Sequence, residues 1–152
     1  LNDKCAAGTG SFITEVAERS GINIAEMSDV AAKSSFKKEL NSFCTVFAKT
    51  EIMSWLFEGL PVEDIAKGIY LSIVNRVIKL RIDPVSPVIL IGGVIAWHPY
   101  LKNLLQEKLQ KDVQIMDKPQ FAVSFGAALF AKEAFQKGLT KAGDIPVSTL
   151  NT

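Results

Sequence analysis

The chain has 152 residues, 48% of them apolar and 22% charged, with 17 basic against 16 acidic side chains and a formal net charge of +1. That length and balance describe one folded domain with a real core and exclude disorder except at the C-terminal end. No run of like charge exceeds Lys37-Lys38, so nothing favours nucleic acid or an anionic membrane as partner, and the longest apolar run, 85–96, is broken by Pro87, Gly92 and Gly93 and is too short for a membrane span. Two cysteines without a secretory pattern point to a reducing compartment, the cytoplasm, rather than to a disulfide framework.

In chain order, the opening run Asn2-Asp3-Lys4-Cys5-Ala6-Ala7-Gly8-Thr9-Gly10 places a cysteine ahead of a glycine-rich turn. Phe12, Ile13, Val16 and Ala17 follow at helical spacing, which predicts a helix over 10–19 with Thr9 as N-cap and Ser20-Gly21 as its stop. A second short helix is expected over 24–33, then a polar loop, 34–38. Residues 41–47, β-branched and aromatic around the second cysteine, Cys44, read as a short extended segment leading into a helix over 48–58 that ends at Gly59. Leu60-Pro61 opens a long helix, 62–80, with Glu63 and Asp64 in its first turn and Lys79 and Arg81 near its end, matching the helix dipole.

Residues 87–91 form a wholly apolar run before Gly92-Gly93. This reads as a strand buried on both faces of a parallel sheet, followed by a tight strand-to-helix turn. A helix over 99–110, a short strand over 113–116 and a helix over 121–137 complete an α/β pattern. Residues 1–138 are read as one domain and 139–152 as a flexible tail. The chain opens without methionine and with a motif already at position 2, which reads as part of a longer protein.

Three features carry possible chemistry. Gly8-Thr9-Gly10 at a helix start can cradle a phosphate, because glycine lets the backbone approach an anion and helix N–H groups point at it; a ligand-free glycine turn is the commoner case, and the lysine of a P-loop is absent. Gly92-Gly93 at the carboxyl end of a strand can bring backbone beside a ligand or simply make a turn, and Gly126-Ala127-Ala128 reads as helix packing. Cys5 and Cys44 each precede a helix start, where the dipole stabilises a thiolate, yet free cysteines are more often buried apolar residues. His98, between Trp97 and Pro99, reads as a turn residue rather than a metal ligand.

In combination these motifs are more specific. Residues 2–10, Cys44-Thr45-Val46-Phe47-Ala48 with Glu51, Gly92-Gly93-Val94 after a strand, and Pro119-Gln120 ahead of Gly126-Ala127-Ala128 resemble, in order and over nearly the whole chain, the ATP-dependent activators of 2-hydroxyacyl-CoA dehydratases and benzoyl-CoA reductases. These belong to the acetate kinase, sugar kinase, chaperone and actin superfamily. The resemblance implies an α/β fold, the second lobe of an actin-like (ribonuclease H-like) ATPase, helix-rich with a short, mostly parallel and incomplete sheet.

It further implies a homodimer in which Cys5 and Cys44 of each subunit hold one shared [4Fe–4S] cluster, and ATP or ADP with Mg²⁺ bound beside Gly8, Thr9 and Gly10. Gly92, Gly93 and Val94 would line the adenosine side, and Glu51 would reach the ribose. The implied partner is an acyl-CoA dehydratase or reductase that receives a low-potential electron. The chain departs from the family at Ser11, where arginine is usual, at Lys49-Thr50, where an acidic residue is common, and at Val94-Ile95-Ala96-Trp97-His98, where the segment normally reaches an asparagine. The superfamily's two phosphate loops and magnesium-binding aspartate precede the first motif, so this polypeptide alone is expected not to hydrolyse ATP. Two rivals remain at this stage: a kinase of the related N-acetylglucosamine kinase branch, and a truncated domain that only dimerises.

Overall fold

The computed structural model describes residues 8–40, 45–80, 82–83 and 85–138. Cys5, Cys44, Arg81 and the tail 139–152 lie outside the described residues.

Helix α1 (Thr9–Arg19) follows the apolar stripe of the sequence and buries the same four side chains, Phe12, Ile13, Val16 and Ala17. Its N-cap is Gly8 rather than Thr9, which is already the first helical residue. Gly8 has φ +75°, a left-handed conformation that glycine adopts without strain, so the glycine turn starts the helix. Helix α2 (Met27–Ala32) is shorter than the expected 24–33, and residues 34–40 run as a loop. That loop is tied to the next long helix: Ser34 Oγ donates to Asp64 Oδ1 at 2.6 Å, and Lys67 Nζ donates to the Ser34 carbonyl at 2.6 Å.

Helix α3 (Thr45–Phe57) includes 45–47, which the local β preference had made extended. Ala48, Ile52 and Trp55, at i, i+4 and i+7, form one buried face, and burial along that stripe outweighs the weak preference of the preceding residues. Helix α4 (Val62–Ile78) is the centre of the core and buries nine residues from Ile65 to Val74. A Cβ built on Gly68 would stand 2.6 Å from Trp55 Cζ3, so the missing side chain is what lets α4 pack against the buried indole. Phe36 meets Trp55 edge-on at 5.6 Å, and Lys38 Nζ lies 5.4 Å from the indole centroid on the loop side.

Strand β1 (Val88–Leu90) is followed by α5 (Gly93–Trp97), then α6 (Tyr100–Leu109), strand β2 (Val113–Ile115), a 3₁₀ turn (Pro119–Phe121) and α7 (Ala122–Gln136). The strands pair in parallel, Val88 opposite Val113 and Leu90 opposite Ile115, with α5 and α6 as the crossover. Leu101, Leu104 and Leu105 of α6 fall into the core with Val113.

The expectation of a strand covered on both faces fails here. Ile89 is 56% exposed, because among the described residues the sheet has two strands and a helical layer on one side only. The packing expected at Gly126 fails as well, since nothing lies within 4 Å of a Cβ built there and α7 buries none of its residues. No described helix is long and apolar enough to cross a membrane.

Candidate functional site

The fold brings together two of the glycine motifs that lie far apart in sequence. Val94 Cγ2 is 3.7 Å from where a Cβ on Gly10 would sit, so the starts of α1 and α5 touch, and glycine at position 10 keeps the approach close. The turn into α5 depends on Gly92 at φ +103°, a value other residues reach only with strain. Its N–H donates to the Pro119 carbonyl at 2.8 Å, which fixes the end of β1 against the 3₁₀ turn.

Between α1 and α5 lies a cavity of about 390 Å³, lined by Gly10, Thr14, Ile24, Ala25, Val94, Trp97 and His98. That volume falls within the roughly 300–1,000 Å³ of small-molecule sites, and the mixture of apolar surface with a few polar groups is their usual composition. A larger depression, about 690 Å³, is polar, open and formed only by 102–112, and it shares no residue with the glycine turns. Gly10 and Val94 reach the cavity; Gly8, Thr9, Gly92 and Gly93 hold the two turns beside it without lining it, and Glu51, on α3, is also not part of its lining.

The titratable group of the cavity is His98, which the sequence reads as a turn residue. It does end α5, but its side chain is only 4% exposed. Its Nδ1 lies 2.7 Å from Tyr70 Oη, and Tyr70 Oη lies 3.4 Å from Ser28 Oγ, which links α2, α4 and α5 in one buried chain. Burial lowers the pKa of His98 from its ordinary value and pushes Tyr70 up to about 12, so both are neutral at physiological pH. The departure Trp97-His98 after the glycine turn was the available signal, and it is legible only once α4 supplies the tyrosine.

Cys5 and Cys44, the expected metal ligands, both lie outside the described residues. The helices that follow them are joined: Lys49 Nζ of α3 lies 2.6 Å from Glu15 Oε1 of α1, and Arg19 Nη2 contacts the same oxygen at 3.1 Å. These cations hold the Glu15 carboxyl below its ordinary pKa, Lys49 contributing most. Among the described residues no group of three or more His, Cys, Asp or Glu could hold a metal ion.

The turn after β1 of this parallel strand pair meets the glycine turn that starts α1, and the overall structure is the actin-like fold of the activator ATPases. The solved activator of the 2-hydroxyisocaproyl-CoA dehydratase from Clostridium difficile, with bound ADPNP, superposes with a TM-score of 0.77 at 35% identity, covering 90% of this chain and 52% of that one. A profile of the BadF/BadG/BcrA/BcrD ATPase family matches residues 1–131, and the chain belongs to this family. Among curated relatives, the (R)-2-hydroxyglutaryl-CoA dehydratase activating ATPase of Acidaminococcus fermentans is 37% identical over 133 residues, 86% of this chain and 51% of that protein. The activator of lactoyl-CoA dehydratase of Anaerotignum propionicum is 36% identical over 139 residues, 90% and 53% respectively. The chain spans about half the length of the curated relatives it matches.

Proposed function

We propose that this chain is the cysteine-bearing, nucleotide-contacting lobe, residues 1–138 with a tail at 139–152, of a cytoplasmic activator that couples ATP hydrolysis to delivery of a low-potential electron to an acyl-CoA dehydratase or reductase. The observation that carries the reading is the meeting of Gly10 with Val94 beside a ligand-sized cavity, in a chain whose relatives are named as activators of such enzymes.

In this reading Gly8, Thr9 and Gly10 present the N-terminal N–H groups of α1 to the nucleotide phosphates with their Mg²⁺. The first turn of α1 holds no acidic side chain to oppose an anion there. Gly92, Gly93 and Val94 shape the adenosine side, and Glu51 serves the ribose from α3.

Two thiolates per chain are half the ligand set of a [4Fe–4S] cluster, so Cys5 and Cys44 of two subunits would hold one between them and the cluster would supply the reducing electron. What supports this is sequence order and one contact: each cysteine precedes a helix in the sequence, and those helices, α1 and α3, are tied by Lys49–Glu15. Gly8 stands three residues after Cys5, so a shift of α1 on nucleotide exchange would be transmitted to a thiolate.

The test is anaerobic reconstitution of the chain with iron and sulfide, reading bound iron per chain and mass in solution. About two iron atoms per chain in a dimer, lost in both Cys5→Ser and Cys44→Ser, is the expected result. An iron-free monomer would overturn the shared-cluster reading for this chain.

A further inference from the structure

Helix α1 is held at two places by parts of the molecule distant in sequence. Its first turn meets α5 at Gly10 and Val94, beside the cavity. Further along, at about 7.5 Å from Gly10 for a rise of about 1.5 Å per residue, it meets α3 through three charges. Glu15 Oε1 lies 2.6 Å from Lys49 Nζ and accepts from Arg19 Nη2 at 3.1 Å and from Arg19 Nε at 3.3 Å. We infer that this cluster is an ionic clasp that makes α1 and α3 move as one body, and that Lys49 is the positioning residue through which a displacement at the nucleotide end of α1 is passed to α3. The coupling rests on the nucleotide reading above; the clasp itself does not.

The two helices meet with an apolar inner side and a charged outer edge. Val16 and Ala48, the chain neighbours of Glu15 and Lys49, are 1% and 0% exposed and belong to the same core. Apolar burial is non-directional, and a side chain as small as Ala48 lets one helix slide on the other at little cost. A charge-assisted hydrogen bond is short and directional, so it fixes the register that the apolar contacts leave free.

Arg19 strengthens the clasp from α1 itself. It stands one turn beyond Glu15 and places two N–H groups on the oxygen that Lys49 reaches, which orders the carboxylate before the lysine arrives. A networked pair of this kind differs from an isolated surface pair, whose long side chains must both be ordered for one contact. Lys49 and Glu15 keep 31% and 36% of their side-chain surface exposed, so solvent ions reach the clasp and salt should loosen it.

The experiment measures the α1–α3 distance by double electron–electron resonance between nitroxides on Glu18→Cys and Phe57→Cys, both exposed positions, in a parent chain carrying Cys5→Ser and Cys44→Ser so that no other thiol reacts. Lys49→Met keeps the stem, removes the charge and should shift or widen the distance by about 1–2 Å, the scale of helix displacements in switching proteins. Glu15→Lys with Lys49→Glu returns opposite charges to the same edge and should restore it. About 1 M KCl should make the parent resemble Lys49→Met and leave Lys49→Met unchanged. An unchanged distance in Lys49→Met overturns the clasp, and so does a shift that the charge swap fails to restore, since the lysine stem rather than its charge would then hold the helices. Adding MgADP, with binding followed by calorimetry, should leave the distance unchanged in the parent and alter it in Lys49→Met. If ADP binds and the two chains respond alike, or not at all, the coupling falls while the nucleotide reading stands. If the folded parent binds no ADP, the nucleotide reading and the coupling fall together, and the ligand-free distances decide the clasp. Should Lys49→Met fail to fold, the salt series on the parent decides, and no response up to about 1 M KCl overturns the clasp.

Discussion

The helical layer and the sheet-side layer of this molecule both carry large apolar side chains, which end in opposite states. Helices α1, α3, α4 and α6 direct Ile13, Ile52, Trp55, Ile65, Ile69 and Leu101 into one core. On the other side Ile89 and Ile91 of the β1 region, and Phe125, Leu129 and Phe130 of α7, remain exposed. The difference shows where the stability of the described residues resides. Apolar burial drives folding only where a second layer exists to receive it, and the sheet-side layer has none among the described residues.

The largest effect should come from breaking the helical layer. Trp55→Ala removes a buried indole and is expected to cost about 3–5 kcal/mol. Gly68→Val pushes a branched side chain into the same indole and should cost about 1–3 kcal/mol or more. Urea unfolding followed by far-UV circular dichroism checks both, and a wild-type midpoint in Gly68→Val would refute the close α4–Trp55 packing.

A smaller effect should follow pH through the buried chain that links this layer to the cavity. Because burial lowers the folded-state pKa of His98, the unfolded chain takes up its proton first; the contribution is complete above about pH 6.5 and is lost as pH falls from there toward the lowered value. Tyr70, raised to about 12, acts at the other end: its contribution is complete below about pH 10 and is lost as pH rises toward 12. The contribution of these two groups should therefore be flat between about pH 6.5 and 10, with an acid slope of at most about 1.4 kcal/mol per pH unit from one histidine. His98→Gln should abolish that slope above pH 5; an unchanged slope would assign it elsewhere.

The smallest effect is expected on the sheet side. Phe125→Ser or Phe130→Ser should leave the unfolding midpoint within about 0.5 kcal/mol of wild type, because neither side chain gives up a buried contact. A loss of several kcal/mol would show that α7 is covered in solution and would erase the contrast between the two layers.

Much of the fold was legible in the sequence for a local reason. The stripe Phe12-Ile13-Val16-Ala17, the Pro61 start of α4 and the order of strands and helices after Pro87 are set by helical spacing, proline geometry and glycine stops, which neighbours in sequence encode. The resemblance to the activator family likewise rests on motif order and needed no coordinates.

What required the tertiary structure was every property set by residues far apart. Ile89 reads as a doubly buried strand residue until the sheet proves, among the described residues, to have one covered face, and 45–47 read as extended until Trp55 and Ile52 pull their helix into the core. Gly10 and Val94 are separate turns until the packing of α1 on α5 makes them one wall of a cavity. His98 is a turn residue in sequence and a buried hydrogen-bonding group in the fold, because its partner Tyr70, itself bonded to Ser28, comes from a different helix and the surrounding burial keeps the ring neutral.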